Sequence, residues 1–512
     1  MGDTKPVGMA SLEDEDDGGF ESISKVLQVI KTTFGEGNTH KVLASLYVVR
    51  TDTDMRVRQL SLQVWKSVVS NTPRTLVEIM PTLVDVVVSH LSSPVYDLCV
   101  MASRCLGEVV KKLGHKVLTL LVPCLKEGLQ RGDVSTRQGI CLGLSEILSA
   151  LTRVQVETYI DSLIPSLQQA LCDEDDGVRS QAANAFQTLS KCIGPRAIGE
   201  IVPVLVQQLG QKGVQSELAL LGLREVVQLK PRDLLEFLLP RLLKSPMDAV
   251  SITALTTIVG VTGEYLHHHF PLIITSLVSE LSLPVGQKSA EELDAIKLCA
   301  STVMGSAGSV GLNFLIIELG KQIENDNDSS KRKWGCWLTQ QFVEKTNLDF
   351  SDYISVLLKY LLARVADSDR EVLTALMGAL MALSDHYPVE QYTEQMDFIS
   401  SCISSAASDA RFRTSTTTAG AFTQQASSSG QYILPLFTIP KSLDAFLPML
   451  LFALTNGSPH SRETAATVLG ELVQMCDTDV LKPSLIKITG PLIRVVKYCK
   501  LISNKRPYLI FS

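Results

Sequence analysis

The stretch from Tyr159 to Pro195 contains two apolar patterns of helical period, separated by a short acidic turn. Apolar residues spaced three and four positions apart form one stripe along a helix, and each half of the stretch has such a stripe. Gly194 and Pro195 follow the second stripe and are typical of a helix end. The pattern predicts an αα-hairpin whose stripes are Ile160, Leu163, Ile164, Leu167 and Leu171, then Val178, Ala182, Ala185, Phe186, Leu189 and Ile193.

A single hairpin of this kind cannot cover its own apolar stripes, so we expect copies of it to stack on one another. Copies are present in the sequence. A proline with similar surroundings recurs, mostly at intervals of about 31 to 42 residues, and this range suits repeats of paired helices. We interpret it as a helix-interrupting residue at an equivalent position of each repeat: Pro81, Pro123, Pro165, Pro203, Pro240, Pro271 and Pro448.

A second recurring feature is an arginine close to the start of the second helix, after an acidic turn. It occurs at Arg58, Arg137, Arg179, Arg332 and Arg462. This position resembles the consensus of HEAT repeats. We therefore predict an all-α, right-handed HEAT-repeat (armadillo-like) helical solenoid over residues 21–402, with a further repeat over 441–497. The arginines are expected to pair with acidic turn residues of neighbouring repeats, such as Asp173 or Asp369.

Composition supports a folded helical protein and indicates that the first 20 residues differ from the rest of the chain. Apolar residues make up 45% of the 512 residues and the formal net charge is −7. Residues 1–20 hold six acids and one lysine, so this segment is expected to be an acidic, disordered terminus. No uninterrupted apolar run approaches the roughly 20 residues of a membrane helix, and no signal peptide opens the chain. The eleven scattered cysteines suit a reducing compartment, so we predict a cytoplasmic protein.

Two segments depart from the repeat pattern. Residues 403–440 are rich in Ser, Thr, Ala, Gly and Gln without any period, which indicates a low-complexity loop or linker. Its role is either a tolerated insertion or a phosphorylatable contact loop. Residues 498–512 are expected to form an irregular tail, as in a segment of a longer protein or a truncated gene product.

Particular motifs narrow the class further. They are VWKSVVSNTPRTL near Trp65, RQGICLGLSEIL at Arg137, LCDEDDGVRSQAANAF at Leu171 and ITGPLIRVV at Ile488. In these motifs the chain resembles the general control non-derepressible translational activator, the large HEAT-repeat activator of the kinase that phosphorylates initiation factor two alpha. The similarity runs from about residue 40 to 496 and corresponds to an internal or C-terminal-half segment of that family.

The resemblance implies a non-catalytic scaffold that associates with ribosomes and helps to activate this kinase during amino-acid starvation. It also implies that the segment docking onto the kinase lies beyond the region matched here, and that the segment resembling a fungal elongation factor lies before it. The alternative is another HEAT scaffold, such as a nuclear-import receptor or an adaptor for complex assembly.

The candidate sites are few. The run from Lys331 to Trp334, comprising Lys331, Arg332, Lys333 and Trp334, could contact ribosomal RNA through charge and stacking. The alternative is that Arg332 is one more repeat arginine and that Trp334 shares a buried helix face with Trp337. Neither a phosphate-binding loop nor a catalytic arrangement is visible, so we predict no enzyme activity, no cofactor, no metal, no small-molecule substrate and no membrane partner.

Overall fold

A computed structural model of the protein describes residues 35–209, 213–284, 286–416 and 433–503, together with Val29, Thr32 and Thr33. Within these residues the regular structure is helical, and they contain no strand. The chain divides after Lys230 into two compact units, here called unit 1 and unit 2. The predicted all-α HEAT-repeat class is confirmed.

From residue 35 onward, the described part of unit 1 contains ten helices connected by short turns. In chain order they are α1 Glu36–Val49, α2 Met55–Val68, α3 Thr72–Leu91, α4 Tyr96–Leu113, α5 His115–Arg131, α6 Val134–Ala150, α7 Arg153–Leu171, α8 Asp176–Ile193, α9 Pro195–Leu209 and α10 Val214–Leu229.

The hairpin formed by α7 and α8 shows how the sequence determines this architecture. Every residue of the two predicted apolar stripes is buried. The Asp175 side chain accepts a hydrogen bond from the Val178 N–H and so caps the start of α8. Gly194 follows α8 with a φ of 64°, a conformation that costs glycine nothing and most other residues a good deal. The hairpin prediction is confirmed, including where its second helix begins and ends.

The hairpins of unit 1 stack in two layers. One layer places α4, α6, α8 and α10 side by side, and the other places α5, α7 and α9 side by side. Each helix therefore covers its apolar stripe against its own hairpin partner and against the equivalent helix of the next hairpin. This is the packing that repeat proteins use to build a continuous core.

The recurring prolines lie inside helices rather than at their interruptions. Pro81, Pro123, Pro165 and Pro203 are interior residues of α3, α5, α7 and α9. The idea that they interrupt the helices is therefore wrong. An interior proline removes one backbone hydrogen bond at a cost of about 3 kcal/mol, which the packing of a long apolar helix can offset. Pro448 differs, because it lies in the first turn of its helix, where a missing N–H costs little.

Unit 2 continues the same construction with less regular connections. Its helices are α11 Pro231–Leu242, α12 Ala249–Thr262, α13 Phe270–Leu281, α14 Ala290–Gly305, α15 Leu312–Ile323, α16 Ser329–Lys345, α17 Ile354–Leu362, α18 Arg370–His386, α19 Met396–Thr416, α20 Leu447–Asn456, α21 Pro459–Gln474, α22 Thr478–Leu481 and α23 Leu485–Ser503. Short 3₁₀ helices lie between several of them, at Gly263–His269, Ser309–Gly311, Ser351–Tyr353, Val389–Gln395, Pro435–Thr438, Ser442–Ala445 and Lys482–Ser484.

Unit 2 is also layered. In one layer α12, α14, α16 and α18 pack in succession, and in the other α13, α15, α17 and α19 do so. Helix α21 packs on both α19 and α20, so the segment after residue 440 joins the same stack.

The predicted low-complexity segment 403–440 differs from the structure at both ends. Helix α19 continues to Thr416, because Ile399 and Ile403 are buried and Ser404 donates a hydrogen bond of 2.9 Å to Glu471 of α21. At the other end, the backbone N–H of Leu436 donates to the carbonyl of Val365 at 3.2 Å. Residues 417–432 lie outside the described residues, as do residues 1–20. The predicted irregular tail likewise begins as helix, since α23 extends to Ser503, and its remainder is not described.

Length and composition alone would allow the segment Ala249–Leu281, and the bent pair Ala290–Gly305 with Ser309–Ile323, to cross a membrane. The first of these is interrupted by the 3₁₀ helix Gly263–His269. Most of its large apolar residues, such as Leu255, Ile258 and Leu277, are buried in unit 2, although Leu272 is 46% exposed. The apolar character of this segment is therefore accounted for by the core of the repeat stack.

Candidate interaction surfaces

The five repeat arginines occupy one position in the structure. Each is the fourth residue of its helix, in α2, α6, α8, α16 and α21: Arg58, Arg137, Arg179, Arg332 and Arg462. In four of them the guanidinium donates to backbone carbonyls of the turn that precedes the helix. The acceptors are Asp52 and Thr53 for Arg58, Gly132 for Arg137, Asp173 and Glu174 for Arg179, and Asn325 and Asp326 for Arg332.

Two of these arginines also join neighbouring repeats. Arg137 holds both carboxylate oxygens of Asp173 at 2.7 and 2.9 Å, as the sequence predicts. Arg332 holds Asp367 in the same bidentate way, at 2.7 and 3.1 Å. The hydrogen bonds that Arg332 donates to Asp367 raise the pKa of Arg332, so this arginine remains charged.

Asp369, which the sequence suggested as an example of such a partner, is not the residue that Arg332 holds. Asp369 accepts from the backbone N–H of Glu371 and caps α18 instead. Asp367 precedes it in the same turn and accepts from the N–H of Asp369, so the two aspartates share the turn with different tasks. Arg179 differs again, because its recorded partners all lie within its own repeat, including Asp176 at 2.8 Å.

Most side chains of the run from Lys331 to Trp334 take part in packing or in an ion pair within the protein. Arg332 and Trp334 are buried, and Trp334 packs edge-on against Trp337 with 5.5 Å between ring centroids. Lys333 lies over the Trp334 ring and pairs with Glu371 at 2.8 Å. Lys331 is half-buried at the start of α16. A base could not stack on Trp334 in this arrangement, so any contact with RNA at this run would be limited to the two lysines.

Other side chains that could form a metal-binding or catalytic site do not cluster in the described residues. Among them, no group of three or more His, Cys, Asp or Glu side chains is placed to hold a metal ion. His267 and His268 pack together, with His268 edge-on to Phe314, in the 3₁₀ helix that ends unit 2's first hairpin. Burial raises the pKa of Cys141 and of Cys336 to about 12, which leaves both as neutral core thiols.

A groove with a volume of about 430 Å³ lies between α16 and α18 in unit 2, and Glu344, Asp385 and His386 are among the residues that line it. Two glutamine amides donate to Glu344 at 2.8 and 3.0 Å. No serine, threonine, cysteine or lysine lines this groove.

Stacked helical hairpins, several of which have an arginine in the first turn of the second helix, define a HEAT-repeat protein. Two family descriptions match this chain: "Stalled ribosome sensor GCN1-like, HEAT repeats" over residues 234–441, and "EF3 N-terminal HEAT repeat" over residues 99–251. Over more than nine-tenths of its length the chain is similar to GCN1 proteins, as the resemblance in the motifs indicates.

Relatives from distant organisms align along nearly the whole chain. The human "Stalled ribosome sensor GCN1" is 33% identical over 470 residues, which is 92% of this chain and 17% of the relative. The "eIF-2-alpha kinase activator GCN1" of Saccharomyces cerevisiae is 30% identical over 489 residues, covering 95% of this chain and 17% of that protein. "Protein ILITYHIA" of Arabidopsis thaliana is 34% identical, with 96% and 17% covered. The chain thus spans 17% of the length of these relatives.

The matches correct one expectation and leave another without support. The segment resembling a fungal elongation factor was expected before the matched region, yet the EF3 description matches residues 99–251 of this chain itself. Among solved structures, a crystal structure of importin beta covers 92% of this chain and 61% of its own, at 12% identity and a TM-score of 0.30. At that TM-score the likeness carries no argument for an import receptor.

Proposed function

We propose that this chain is a non-catalytic, ribosome-associated scaffold of the cytoplasm, which helps to activate the kinase that phosphorylates initiation factor two alpha. The observation that carries the proposal is the similarity along more than nine-tenths of the chain to proteins named as stalled ribosome sensors and kinase activators. Because the chain spans 17% of those proteins, both the ribosome and the kinase are proposed partners of this chain.

The architecture supports a scaffold over an enzyme. Stacked hairpins present long, extended surfaces formed by many repeats, and these suit large partners. Holding two partners on one body raises their effective concentration without any bond being made or broken. We therefore propose that the contribution of this chain is geometric, and that it has neither a cofactor nor a small-molecule substrate.

The ribosome contact is tested by co-sedimentation. The purified chain is mixed with ribosomes at near-physiological salt and centrifuged through a sucrose cushion, with importin beta as a HEAT-repeat control of unrelated function. We expect this chain to pellet with ribosomes and importin beta to stay in the supernatant. Equal amounts of both proteins in the pellet, or neither, would refute the ribosome part of the proposal.

The kinase contact is tested separately by titration against the kinase's N-terminal domain, with a complete GCN1 protein as positive control. We propose that the main kinase-docking surface belongs to other parts of the GCN1 proteins, so that this chain alone binds weakly or not at all. Micromolar or tighter binding would place a docking surface within residues 21–497 and would contradict this part of the proposal.

A further inference from the structure

Unit 1 has an edge whose turns contain basic residues and no acidic ones. It is formed by the three turns that lead from α4 to α5, from α6 to α7 and from α8 to α9. Each short turn reverses the chain and α4, α6 and α8 lie side by side, so the three turns lie on one edge of the unit. We call this the basic edge and define it by Lys111, Lys112, Arg153, Lys191 and Arg196, all of them exposed.

The sequence around these turns contains no acidic residue. Neither Asp nor Glu occurs in residues 109–118, 149–156 or 188–199. Two carboxylates just outside these segments contact the edge: Glu157 lies 3.1 Å from Arg153, and Glu200 lies 3.9 Å from Arg196. Both are exposed pairs one helical turn apart, and such pairs contribute only about 0 to 1 kcal/mol. They leave the two guanidinium groups accessible to a stronger anion.

The opposite edge of unit 1 carries negative charge, most clearly at the turn between α7 and α8. The connection between α7 and α8 contains four consecutive acids, Asp173 to Asp176, and an aspartate also precedes α6 at Asp133. Since α8 has 18 residues, the two edges are separated by about 27 Å. The formal net charge of the whole chain, −7, hides this separation because it sums over both edges.

Helix stability alone does not account for the basic edge. Lys111, Lys112 and Lys191 lie in the last turns of α4 and α8, where a cation interacts favourably with the helix dipole. Arg153 and Arg196 lie in the first turns of α7 and α9, where the same dipole disfavours a cation. Cations at both kinds of helix end indicate selection for positive potential on this edge.

We propose that the basic edge binds the phosphate backbone of RNA. The choice of RNA over another polyanion rests on the proposed association with ribosomes. Neighbouring helices are about 8 to 10 Å apart, so the three turns offer cations at intervals that flexible Lys and Arg side chains adjust to successive phosphates. No Phe, Tyr or Trp occurs in the three turn segments, so the edge contacts the backbone and does not stack on bases.

The test uses two charge-matched variants of the whole chain. The edge variant is Lys111→Glu/Lys112→Glu/Lys191→Glu. The control variant reverses three exposed lysines elsewhere, Lys126→Glu/Lys244→Glu/Lys359→Glu. Each reversal changes the charge by two, so both variants move from −7 to −13. The probe is a fluorescein-labelled RNA duplex of mixed sequence, and the measurement is fluorescence anisotropy over a range of salt concentrations.

We expect the edge variant to bind the duplex at least tenfold more weakly than the wild type, and the control variant to lose less than threefold. The slope of log K against log salt should become shallower by about 2 to 3 in the edge variant only, as removal of three phosphate contacts requires. Equal losses in the two variants would overturn the proposal, because they would reflect net charge. No RNA binding by the wild type would overturn it as well.

Two further readouts separate this inference from the proposed function. Polyglutamate is titrated in parallel, and a wild type that prefers it to RNA through the same three lysines would identify an acidic protein surface as the partner and overturn the RNA proposal. Ribosome co-sedimentation is repeated with both variants, provided that their melting temperatures are equal. If the edge variant retains ribosome binding in full, only the proposal about the basic edge is contradicted. If the wild type does not bind ribosomes, the proposed function is contradicted.

Discussion

The two bidentate arginine–aspartate pairs offer a comparison between the units. Arg137 with Asp173 in unit 1 and Arg332 with Asp367 in unit 2 have the same helix position, and each has a closest contact of 2.7 Å. Their surroundings differ, since the side chains are 21% and 12% exposed in unit 1 but only 10% and 3% exposed in unit 2. The geometry of each pair is therefore determined by its position in the repeat. The stability that is lost when a pair is removed is determined by how far water reaches the pair.

Unit 1 also has means of joining its repeats that do not involve charge pairs. Gln138 donates to Asp175 at 3.0 Å, and Ser145 and Thr188 share a hydrogen bond of 3.1 Å between α6 and α8. Two glycines, Gly139 and Gly222, bring a helix directly against the last carbonyl of an earlier helix. The comparison thus predicts that unit 1 depends mainly on apolar and backbone packing and that unit 2 depends more on buried ion pairs such as that of Arg332 with Asp367.

The largest effect in unit 1 is expected at its apolar stripe. Phe186 is completely buried in α8 whereas Gln187, about 100° further round the helix, is half-exposed. Phe186→Asp should lower the free energy of unfolding by at least about 4 kcal/mol, because it buries an unpaired charge and empties a large site. Gln187→Asp should cost about 0.5 kcal/mol or less. Urea unfolding followed by circular dichroism measures both, and equal midpoints would show that the helix phase is wrong.

The next largest effect tests the comparison itself. Asp367→Ala leaves the buried guanidinium of Arg332 without its carboxylate and should cost about 3 to 5 kcal/mol. Asp173→Ala exposes Arg137 to nearby water and should cost about 1 to 2 kcal/mol. Hydrogen exchange of the two variants locates each loss in its own unit. If the two substitutions cost the same, exposure does not govern the energy of these pairs and the comparison fails.

A third effect concerns the close approach of backbones in unit 1. A Cβ atom at position 222 would lie 2.2 Å from the carbonyl oxygen of Leu171, so Gly222→Ala must push two helices apart and should cost about 1 to 3 kcal/mol. Gly260 in α12 has open space around it, and Gly260→Ala should stabilise the helix by about 0.5 to 1 kcal/mol. Thermal unfolding should therefore shift in opposite directions. A shift in the same direction would mean that α10 can move away from Leu171 at no cost.

Local patterns carried most of what the sequence could predict. The stripes of α7 and α8 and the acidic turn between the two helices follow from residues within one helix or one turn, and the structure confirms them. The sequence named Asp369 as an example of an acidic partner, whereas Arg332 holds Asp367, because which aspartate of a turn caps the helix and which faces the next repeat depends on the path of that turn. The interior prolines were misjudged since the cost of a proline is local but its compensation by packing is not.

Features that combine distant parts of the chain were the hardest to predict. The glycine at position 139 meets the carbonyl of Leu91, and that contact joins residues nearly fifty positions apart. The basic edge likewise combines three turns about forty residues apart, each with only one to three lysines or arginines near it. A search for acid-free turns at the repeat period would have found this edge in the sequence.

The smallest expected effect concerns the exposed half of the Lys331–Trp334 run. Lys333 pairs with Glu371 at 2.8 Å across α16 and α18, yet the side chain of Glu371 is 72% exposed. Lys333 also lies 4.9 Å from the centre of the Trp334 ring, a cation–π contact that is worth about 0.5 to 1 kcal/mol at an exposed site. Lys333→Ala should therefore cost no more than about 1 kcal/mol, well below Asp367→Ala in the same pair of helices.

A double-mutant cycle with Glu371→Ala isolates the ion pair, whose coupling should be within about 0.5 kcal/mol of zero at physiological salt. A coupling above about 1.5 kcal/mol would mean that an exposed pair joins these repeats as firmly as a buried one, and exposure could then no longer explain the difference between the two units.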